Sequence, residues 1–598
     1  LQLQFLATLQ THAGDYHDRH TTLAALIGAG HHIDPLATPV VALLRAWLSE
    51  SDDLLTLLGL ITDTLRHGYY AIDSPSLVAL LTSVCSTAAV FIRTNNPTYA
   101  TACLPAVLAV TRGGGVPAAA LPAVVTTLCN TVNVSSADAW VVMRELLASD
   151  HVGAPAFQVL LDTLDRPAGA ALGVLRGAVF FVSMSRWGAQ LVPSLPFSFA
   201  SVLPSMRAAC VCSHGGGEAC GCNQELVAIE VVTSLQRLVR KYGAGLLLEW
   251  DAVLDILEAV QPATLAAAGA PSSAQRLPLE VATLLACIQE VHDTGDFHGD
   301  TDALFATLSL YKDVAPLPIK LLLLKHHMKE ASPATPTWFH HLQIMGGSFY
   351  LREPSAAVRE AAVRCLHTAW RQCRHLDDKA VVGGVLHPVF THVASDPDAA
   401  VRRTAIDLLG ATIQEAHSTT TGPLLDALIA VAMSQLHPYP DAAVAATRAI
   451  GRMFKATFTQ LPTGRSIRLF SALALLTGHA DIQVRFAAFR AVRRLRANSR
   501  HEVVWAGKSE LTSPVLSTCR ARCPSPGAPV PFWELAESLS QRLQTEPNAG
   551  LFLRCIDTLA ALYINQYVMV DVPIRRLASL LATALSNRWF GAQVDLPP

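Results

Sequence analysis

The chain has 598 residues, of which 51% are hydrophobic and 15% are charged, and its formal net charge is −2. Soluble proteins carry roughly a quarter charged residues, so this sequence is unusually apolar, and Ala and Leu dominate it. The near balance of 45 basic and 47 acidic residues excludes a bulk electrostatic field that would recruit nucleic acid or membrane. The length excludes a single compact core and favours an array that grows by adding units.

The first part of the chain predicts successive helices that are separated by Pro, Gly and polar clusters. They are expected over residues 40–48, 53–67, 77–92, 104–110 and 139–147. The apolar stretch at 74–92 contains Pro, Ser and Thr, so we interpret it as a buried helix of the array, with a membrane span as the alternative. No signal peptide is visible and the chain opens at Leu1, so the sequence is expected to be a fragment.

A second apolar helix is predicted over residues 174–189. Phe180, Phe181, Met184 and Trp187 would share one side of it. This spacing favours a core helix over a ligand pocket, because no polar constellation accompanies the aromatic side chains.

A Gly- and Cys-rich segment at residues 210–222 interrupts the helical pattern. Thiolate and imidazole are preferred zinc ligands, so five residues are candidate zinc ligands: Cys210, Cys212, His214, Cys220 and Cys222. The C-x-C spacing is shorter than that of common structural zinc sites, which favours an exposed loop instead. Most other cysteines are single and lie in apolar helices, which is typical of reduced thiols in an intracellular protein.

Composition divides the chain into five regions. An N-terminal helical solenoid is predicted over 1–265, a linker rich in Ala, Pro, Ser and Gly over 266–278, and central repeats over 279–505. Residues 506–530 are poor in large apolar side chains and rich in Ser, Pro and basic residues, which predicts a mobile loop. Further helices of the array are expected over 531–590.

One motif recurs four times in the central region. A cluster containing Asp, Glu or Pro precedes a Val that begins an apolar stripe at helical spacing; the valines, 40 to 43 residues apart, are Val358, Val401, Val444 and Val484. An Arg follows the Val in three copies, whereas Ala445 takes that place in the third. The acidic and Pro residues are expected to start each helix. This period predicts an all-α fold, a HEAT/armadillo-type α-solenoid whose helical hairpins bury their apolar faces against neighbouring hairpins.

The last helix of this block is strongly basic. Five arginines are candidate contacts with an acidic partner or an anionic membrane surface: Arg485, Arg490, Arg493, Arg494 and Arg496. A solvated outer face, with cations favoured near the end of a helix, is the alternative and carries more weight. Nucleic acid is not expected as a partner, because the basic residues are not interleaved with aromatic ones.

The sequence contains no phosphate-binding Gly-rich loop, no zinc-protease motif and no nucleophile elbow. Its histidine pairs are adjacent residues: His31-His32, His326-His327 and His340-His341. Adjacent side chains on a helix point in different directions, so the members of a pair are poorly placed to share a metal. We therefore expect no catalytic residue, no cofactor and no metal, and a scaffold rather than an enzyme.

Several stretches resemble the tuberin family, the large subunits of the tuberous sclerosis complex. The most specific is 174–189 with its sequence LRGAVFFV, and the others are 201–205, 235–251, 297–299 and 338–342. The resemblance runs, with gaps, from about residue 20 to 585. The segment at 210–222 departs from the family, so a zinc site there has no family support.

The resemblance implies a long helical solenoid that binds hamartin through its coiled coil. It also implies a C-terminal domain that activates the small GTPase Rheb through an asparagine, and so restrains TOR-dependent growth signalling. That domain has no counterpart here, so a Rheb-like GTPase is expected as a partner only through the missing domain. The implied location is the cytoplasm, with peripheral recruitment to the lysosome or vacuole surface. An importin- or adaptin-like array that binds peptide cargo is the alternative function.

Overall fold

The computed structural model describes residues 21–24 and most of 34–498, where the longest gaps are 212–224, 269–275 and 454–467. Beyond residue 498 it describes parts of 539–566 and single positions between 578 and 582. Throughout these described residues the regular structure is helical, and no strand occurs among them. The chain divides into two compact units, Leu1–Ile319 and Lys320–Pro598.

The first unit is a two-layered array of helices. Its helices are α1 (Asp34–Leu48), α2 (Leu54–Arg66), α3 (Pro75–Arg93), α4 (Pro97–Ala102), α5 (Leu104–Gly113), α6 (Leu121–Thr131), α7 (Ser136–Ala148), α8 (Gly153–Asp165), α9 (Leu172–Arg186), α10 (Phe199–Cys210), α11 (Glu225–Tyr242), α12 (Trp250–Ala268), α13 (Arg276–Asp293) and α14 (Thr301–Leu310). One layer stacks α1, α3, α6, α9, α11 and α13 in that order, and the other stacks α2, α5, α7, α8, α10, α12 and α14. The apolar stripes of the two layers form the core between them.

Polar caps and glycines set the ends of these helices, as the sequence predicts. The Asp53 carboxylate accepts a hydrogen bond from the Thr56 backbone N–H at 3.3 Å, where α2 begins. Ser74 caps α3 in the same way, and Pro75 occupies the first turn. Gly114 and Gly115 follow α5 with φ values of 148° and 104°, which an L side chain rarely adopts. The helices expected at 53–67, 77–92 and 104–110 are confirmed within a few residues.

Among the described helices, only α3 is long and apolar enough to cross a membrane. It lies between α1 and α6 in the first layer and buries a stripe that includes Leu77, Leu81 and Val84. This is the place of a packing helix in the array, as we interpreted it from the sequence.

Helix α9 contains the aromatic cluster predicted over 174–189. Phe181 and Trp187 are fully buried, whereas Phe180 and Met184 are half-buried. The indole Nε1–H of Trp187 donates to the Ser234 backbone oxygen in α11 at 2.8 Å. The cluster therefore joins neighbouring helices of one layer, and the prediction of a core helix is confirmed.

The predicted linker at 266–278 overlaps the ends of two helices. Helix α12 continues to Ala268 and α13 begins at Arg276, so only residues 269–275, which lie outside the described residues, separate them. Ala is a good helix former, and the Ala-rich end of α12 reaches Ala268. Helices α11 and α13 on either side pack directly against each other, and the division between units falls after Ile319.

The second unit repeats the same arrangement. Its helices are α15 (Leu317–Glu330), α16 (Trp338–Gly346), α17 (Ala356–Val381), α18 (His387–His392), α19 (Ala399–Glu415), α20 (Ser418–Met433), α21 (Pro440–Ile450), α22 (Ile482–Asn498) and α23 (Ala549–Gln566). Helices α17, α19, α21, α22 and α23 stack in this order in one layer, while α18 and α20 pack beside each other in the other layer. The loop predicted at 506–530 lies outside the described residues.

The four repeated valines occupy equivalent places in the stacked layer. Val358, Val401, Val444 and Val484 lie near the N-terminal ends of α17, α19, α21 and α22, and each is buried. Because the residues that repeat in the sequence also repeat in the structure, the predicted all-α array of HEAT/armadillo type is confirmed.

Candidate interaction site: an ion-pair ladder with a vacant position

The basic residue that follows a repeated Val forms a buried ion pair with the next helix of the layer. Arg359 of α17 donates from Nε to Asp396 Oδ2 at 2.9 Å and from Nη2 to Asp396 Oδ1 at 3.0 Å. Its Nη1 donates to the backbone oxygens of Glu353 and Pro354 at 3.0 and 2.6 Å. The bidentate pairing with Asp396 raises the pKa of Arg359 above its usual value. Arg359 therefore joins two consecutive repeats and keeps its charge.

Arg402 repeats this geometry one helix further along. It donates from Nε and Nη2 to the two oxygens of Asp441 at 3.1 and 2.9 Å, and from Nη1 to the Asp396 backbone oxygen at 2.6 Å. Its guanidinium carbon lies 3.8 Å from the centroid of the Tyr439 ring, which adds a cation–π contact. This second pair joins α19 to α21.

Two further pairs continue the series at either side. Lys320 of α15 donates to both oxygens of Glu353 at 3.0 Å, and both side chains are buried. Arg485 of α22 donates from Nη2 to Glu546 Oε1 at 3.1 Å, just before α23 begins. We call these four pairs, Lys320–Glu353, Arg359–Asp396, Arg402–Asp441 and Arg485–Glu546, the ion-pair ladder.

The ladder gives the acidic residues of the motif a role that sequence reasoning missed. We predicted that they start helices, and Asp398 does so, since its Oδ1 accepts hydrogen bonds from the Ala400 and Val401 N–H groups at 2.8 and 3.0 Å. Asp396, however, accepts the arginine of the preceding repeat, 37 residues away. The signal was present in the sequence as an Arg after a repeated Val and an acid three to five residues before the next one.

The ladder has one vacant position. Ala445 occupies the place after Val444 where the other copies have Arg, and Asp481 lies three residues before Val484, as Asp441 lies three residues before Val444. Asp481 Oδ1 caps α22 by accepting from the Gln483 and Val484 N–H groups at 2.7 and 3.1 Å. Among the described residues, the Asp481 carboxylate has no ion-pair partner.

An open cavity of about 310 Å³ lies at this vacancy. Helices α19, α21 and α22 contribute its walls, and its lining residues are Arg403, Asp407, Pro440, Asp441, Val444, Ala445, Arg448, Arg452, Asp481 and Gln483. The arginine that is missing at 445 leaves this space open, because the Ala445 side chain ends at Cβ. The cavity is therefore a structural consequence of the degenerate third repeat.

The charges around the cavity are partly paired within the protein. Arg452 pairs with Asp407, and Asp441 is already held by Arg402. Arg403 and Arg448 are exposed at the rim, and neither has an ion-pair partner among the described residues. The site thus offers one acidic group, Asp481, and two basic groups to a binding partner.

The structure describes the side chains of two of the five arginines that were predicted as contacts on α22. Arg485 is turned inward into the ladder, so its pairing with Glu546 removes it from the candidate contacts; the charge count could not reveal this partner 61 residues away. Arg490 is exposed. The side chains of Arg493, Arg494 and Arg496 lie outside the described residues, so their role stays a prediction.

The zinc candidates fall mostly outside the described residues. Cys210 is the last residue of α10, whereas Cys212, His214, Cys220 and Cys222 are not described. Within the described part of the chain, no group of three or more His, Cys, Asp or Glu residues is arranged to hold a metal ion.

Two histidines from different sequence pairs meet in the second unit. Nδ1 of His327 in α15 and Nδ1 of His341 in α16 are 2.9 Å apart, so one ring donates its N–H to the other. Burial, and then the nearby His341, lower the pKa of His327 to about 3, and burial also lowers the pKa of His341. The two rings are therefore neutral at pH 7. The sequence pattern of each adjacent pair does not indicate this contact, because the contact depends on the turn between α15 and α16.

The stacked hairpins and the ladder define the protein as a helical-array protein of HEAT type. Residues 8–367 match the family model described as "Domain of unknown function (DUF3384)". This match spans more than half of the chain, so the chain belongs to that family.

Comparison with solved structures gives further similarities. One is "Crystal Structure of Importin Beta in an Ammonium Sulfate Condition", with 15% identity, a TM-score of 0.28, and coverage of 98% of this chain and 65% of that chain. Another is "Homology model of the full-length AP-3 complex in an intermediate open conformation", with 11% identity, a TM-score of 0.30, and coverage of 92% of this chain and 94% of that chain.

Proposed function

We propose that this chain is the scaffold region of a tuberin-like subunit of a GTPase-activating complex, and that it binds a hamartin-like coiled-coil partner. The observation that carries the proposal is the charged cavity across α19, α21 and α22, where three stacked helices expose a groove between them. A groove between helices suits an amphipathic partner helix. Family membership over residues 8–367 supports the proposal, since the segments that resemble tuberin most specifically, 174–189 and 235–251, lie inside it.

In this proposal the chain itself is not an enzyme. It holds the partner, while activation of a Rheb-like GTPase and restraint of TOR signalling belong to the complete complex. The proposed location is the cytoplasm, with peripheral recruitment to the lysosome surface. The exposed Arg490 is the described member of the basic helix that would face an anionic membrane there.

Co-expression with a hamartin-like coiled coil tests the proposal. We expect the chain and the partner to co-elute as one complex in size-exclusion chromatography at physiological salt. A matched sample receives instead a set of unstructured basic signal peptides of the kind that importin-type arrays carry. Elution of the chain without the coiled coil, together with binding of these peptides, would replace the proposal by the cargo-adaptor alternative. The chain alone is expected to leave GTP hydrolysis by a Rheb-like GTPase unchanged.

A further inference from the structure

One position of the ion-pair ladder lacks the basic side chain that the other four positions have. Four times, a basic side chain of the chain itself enters the space between consecutive repeats and pairs with an acid of the next repeat. At Ala445 no basic side chain enters, although Asp481 occupies the sequence position that corresponds to Asp441, the acid that pairs with Arg402, and the space is open. We propose that this vacant position is a docking site for an arginine side chain presented by a partner helix that also carries flanking acidic residues.

The neighbouring ion pairs indicate that the vacant position would hold a guanidinium group. Arg402, one repeat earlier, places its guanidinium against both oxygens of the equivalent acid, Asp441, and against a backbone carbonyl. Asp441 and Asp481 both lie three residues before their repeated Val. A planar guanidinium matches a carboxylate bidentately, which the ammonium of a lysine cannot do. The cavity volume of about 310 Å³ lies at the lower end of the range of ligand sites, about 300–1,000 Å³.

Asp481 is suited to receive a charge from outside. One of its oxygens caps α22, and the other has no hydrogen-bond donor among the described residues. Since Ala445 is buried and Asp481 is half-buried, an incoming guanidinium would be partly shielded from water there. Charge-assisted hydrogen bonds are stronger in such a place than on an open surface.

The exposed arginines at the rim of the cavity indicate which other residues the partner helix would carry. Arg403 and Arg448 are exposed beside the cavity and would repel a purely basic peptide. Acidic residues placed three or four positions from the arginine lie on the same face of a helix and would pair with these rim arginines. The occupant is therefore a helix in which one Arg is flanked by Glu or Asp. This inference rests on the proposed function only in taking the partner to be helical.

The probes are three fluorescein-labelled synthetic helical peptides of equal length. The first has a central Arg with Glu four residues before and after it, the second has Leu in place of Arg, and the third has Gln in place of both Glu residues. Binding to the full chain is measured by fluorescence polarisation. We expect the first peptide to bind about tenfold more tightly than the second, as one charge-assisted pair at a partly shielded site would give. We expect the third to bind more weakly than the first.

The chain offers a closely matched control. Asp481→Asn removes the charge but keeps an oxygen that caps α22, so the fold is retained. Asp398→Asn does the same at the start of α19, where the ladder position is filled by Arg359. We expect Asp481→Asn to reduce binding of the Arg peptide to the level of the Leu peptide, and Asp398→Asn to leave it unchanged. Ala445→Arg fills the position from within and is expected to have the same effect as Asp481→Asn.

Several outcomes would overturn the inference. They are absence of binding by the Arg peptide, equal binding of the Arg and Leu peptides, and equal losses for the two Asp→Asn variants. If the peptides need their Glu residues to bind and Asp481→Asn has no effect, the site is instead an anion site at Arg403 and Arg448. If the coiled coil fails to co-elute while the Arg peptide binds through Asp481, the proposed function is wrong and the docking site is supported. If the coiled coil co-elutes while the Arg peptide does not bind, the docking site is wrong and the proposed function is supported.

Discussion

Replacing Arg359 by Ala is expected to lower the opening free energy of α17 and α19 by about 3–5 kcal/mol, because it leaves the buried Asp396 carboxylate without its counter-charge. The side chain also loses four hydrogen bonds that join two repeats. Hydrogen exchange measured by mass spectrometry gives this local free energy without assuming that the whole chain unfolds in one step. Faster exchange should appear in peptides from both helices.

A second ion pair between the same two helices supplies the control. Arg371 pairs with Glu415 at 2.9 Å, but 57% of its side chain is exposed. Exposed pairs contribute about 0–1 kcal/mol, so Arg371→Ala should change exchange very little. Arg359→Lys keeps the charge but loses the bidentate geometry, and we expect an intermediate loss. Equal effects of the two Ala substitutions would show that the ladder is not a special source of stability.

Gly177→Ala is expected to destabilise the first unit by about 3 kcal/mol or more, which is the upper range for overpacking a core. A Cβ at Gly177 in α9 would lie 2.1 Å from the Cys129 backbone oxygen in α6, so the two helices would have to move apart. Hydrogen exchange in α6 and α9 measures the loss. The effect arises from close approach of two backbones, so Gly177→Ser should be no better tolerated.

Gly59 is the matched glycine. It also lies inside a helix, α2, but a Cβ there would meet nothing within 4 Å. Since Ala is a better helix former than Gly by about 1 kcal/mol, Gly59→Ala should stabilise α2. A stabilising effect at both positions would contradict the close packing of α6 and α9.

The array could be predicted from the sequence because the buried residues recur with the period of the hairpins. Val358, Val401 and Val484 face the core of the stacked layer for the same reason that they recur, namely that each hairpin must cover its neighbour. Caps such as Asp53 and Ser74 were predictable because they act within a few residues.

Features that depend on distant residues were not predictable in the same way. The pairing of Arg485 with Glu546 crosses the region predicted as a loop, so nothing local to α22 indicated that this Arg is turned inward. The contact between His327 and His341 likewise depends on how α15 and α16 meet. The ends of the predicted linker were hard to place from composition, because a segment rich in Ala is also compatible with helix.

The central claim is that Ala445 marks a vacant position in an otherwise filled ladder. The most direct test is a double-mutant cycle with Ala445→Arg and Asp481→Asn, read as the hydrogen-exchange stability of α21 and α22. We predict that Ala445→Arg stabilises these helices, that Asp481→Asn removes the gain, and that the coupling free energy is about 1 kcal/mol or more. A new arginine that is neutral or destabilising, with no coupling to Asp481, would contradict the account.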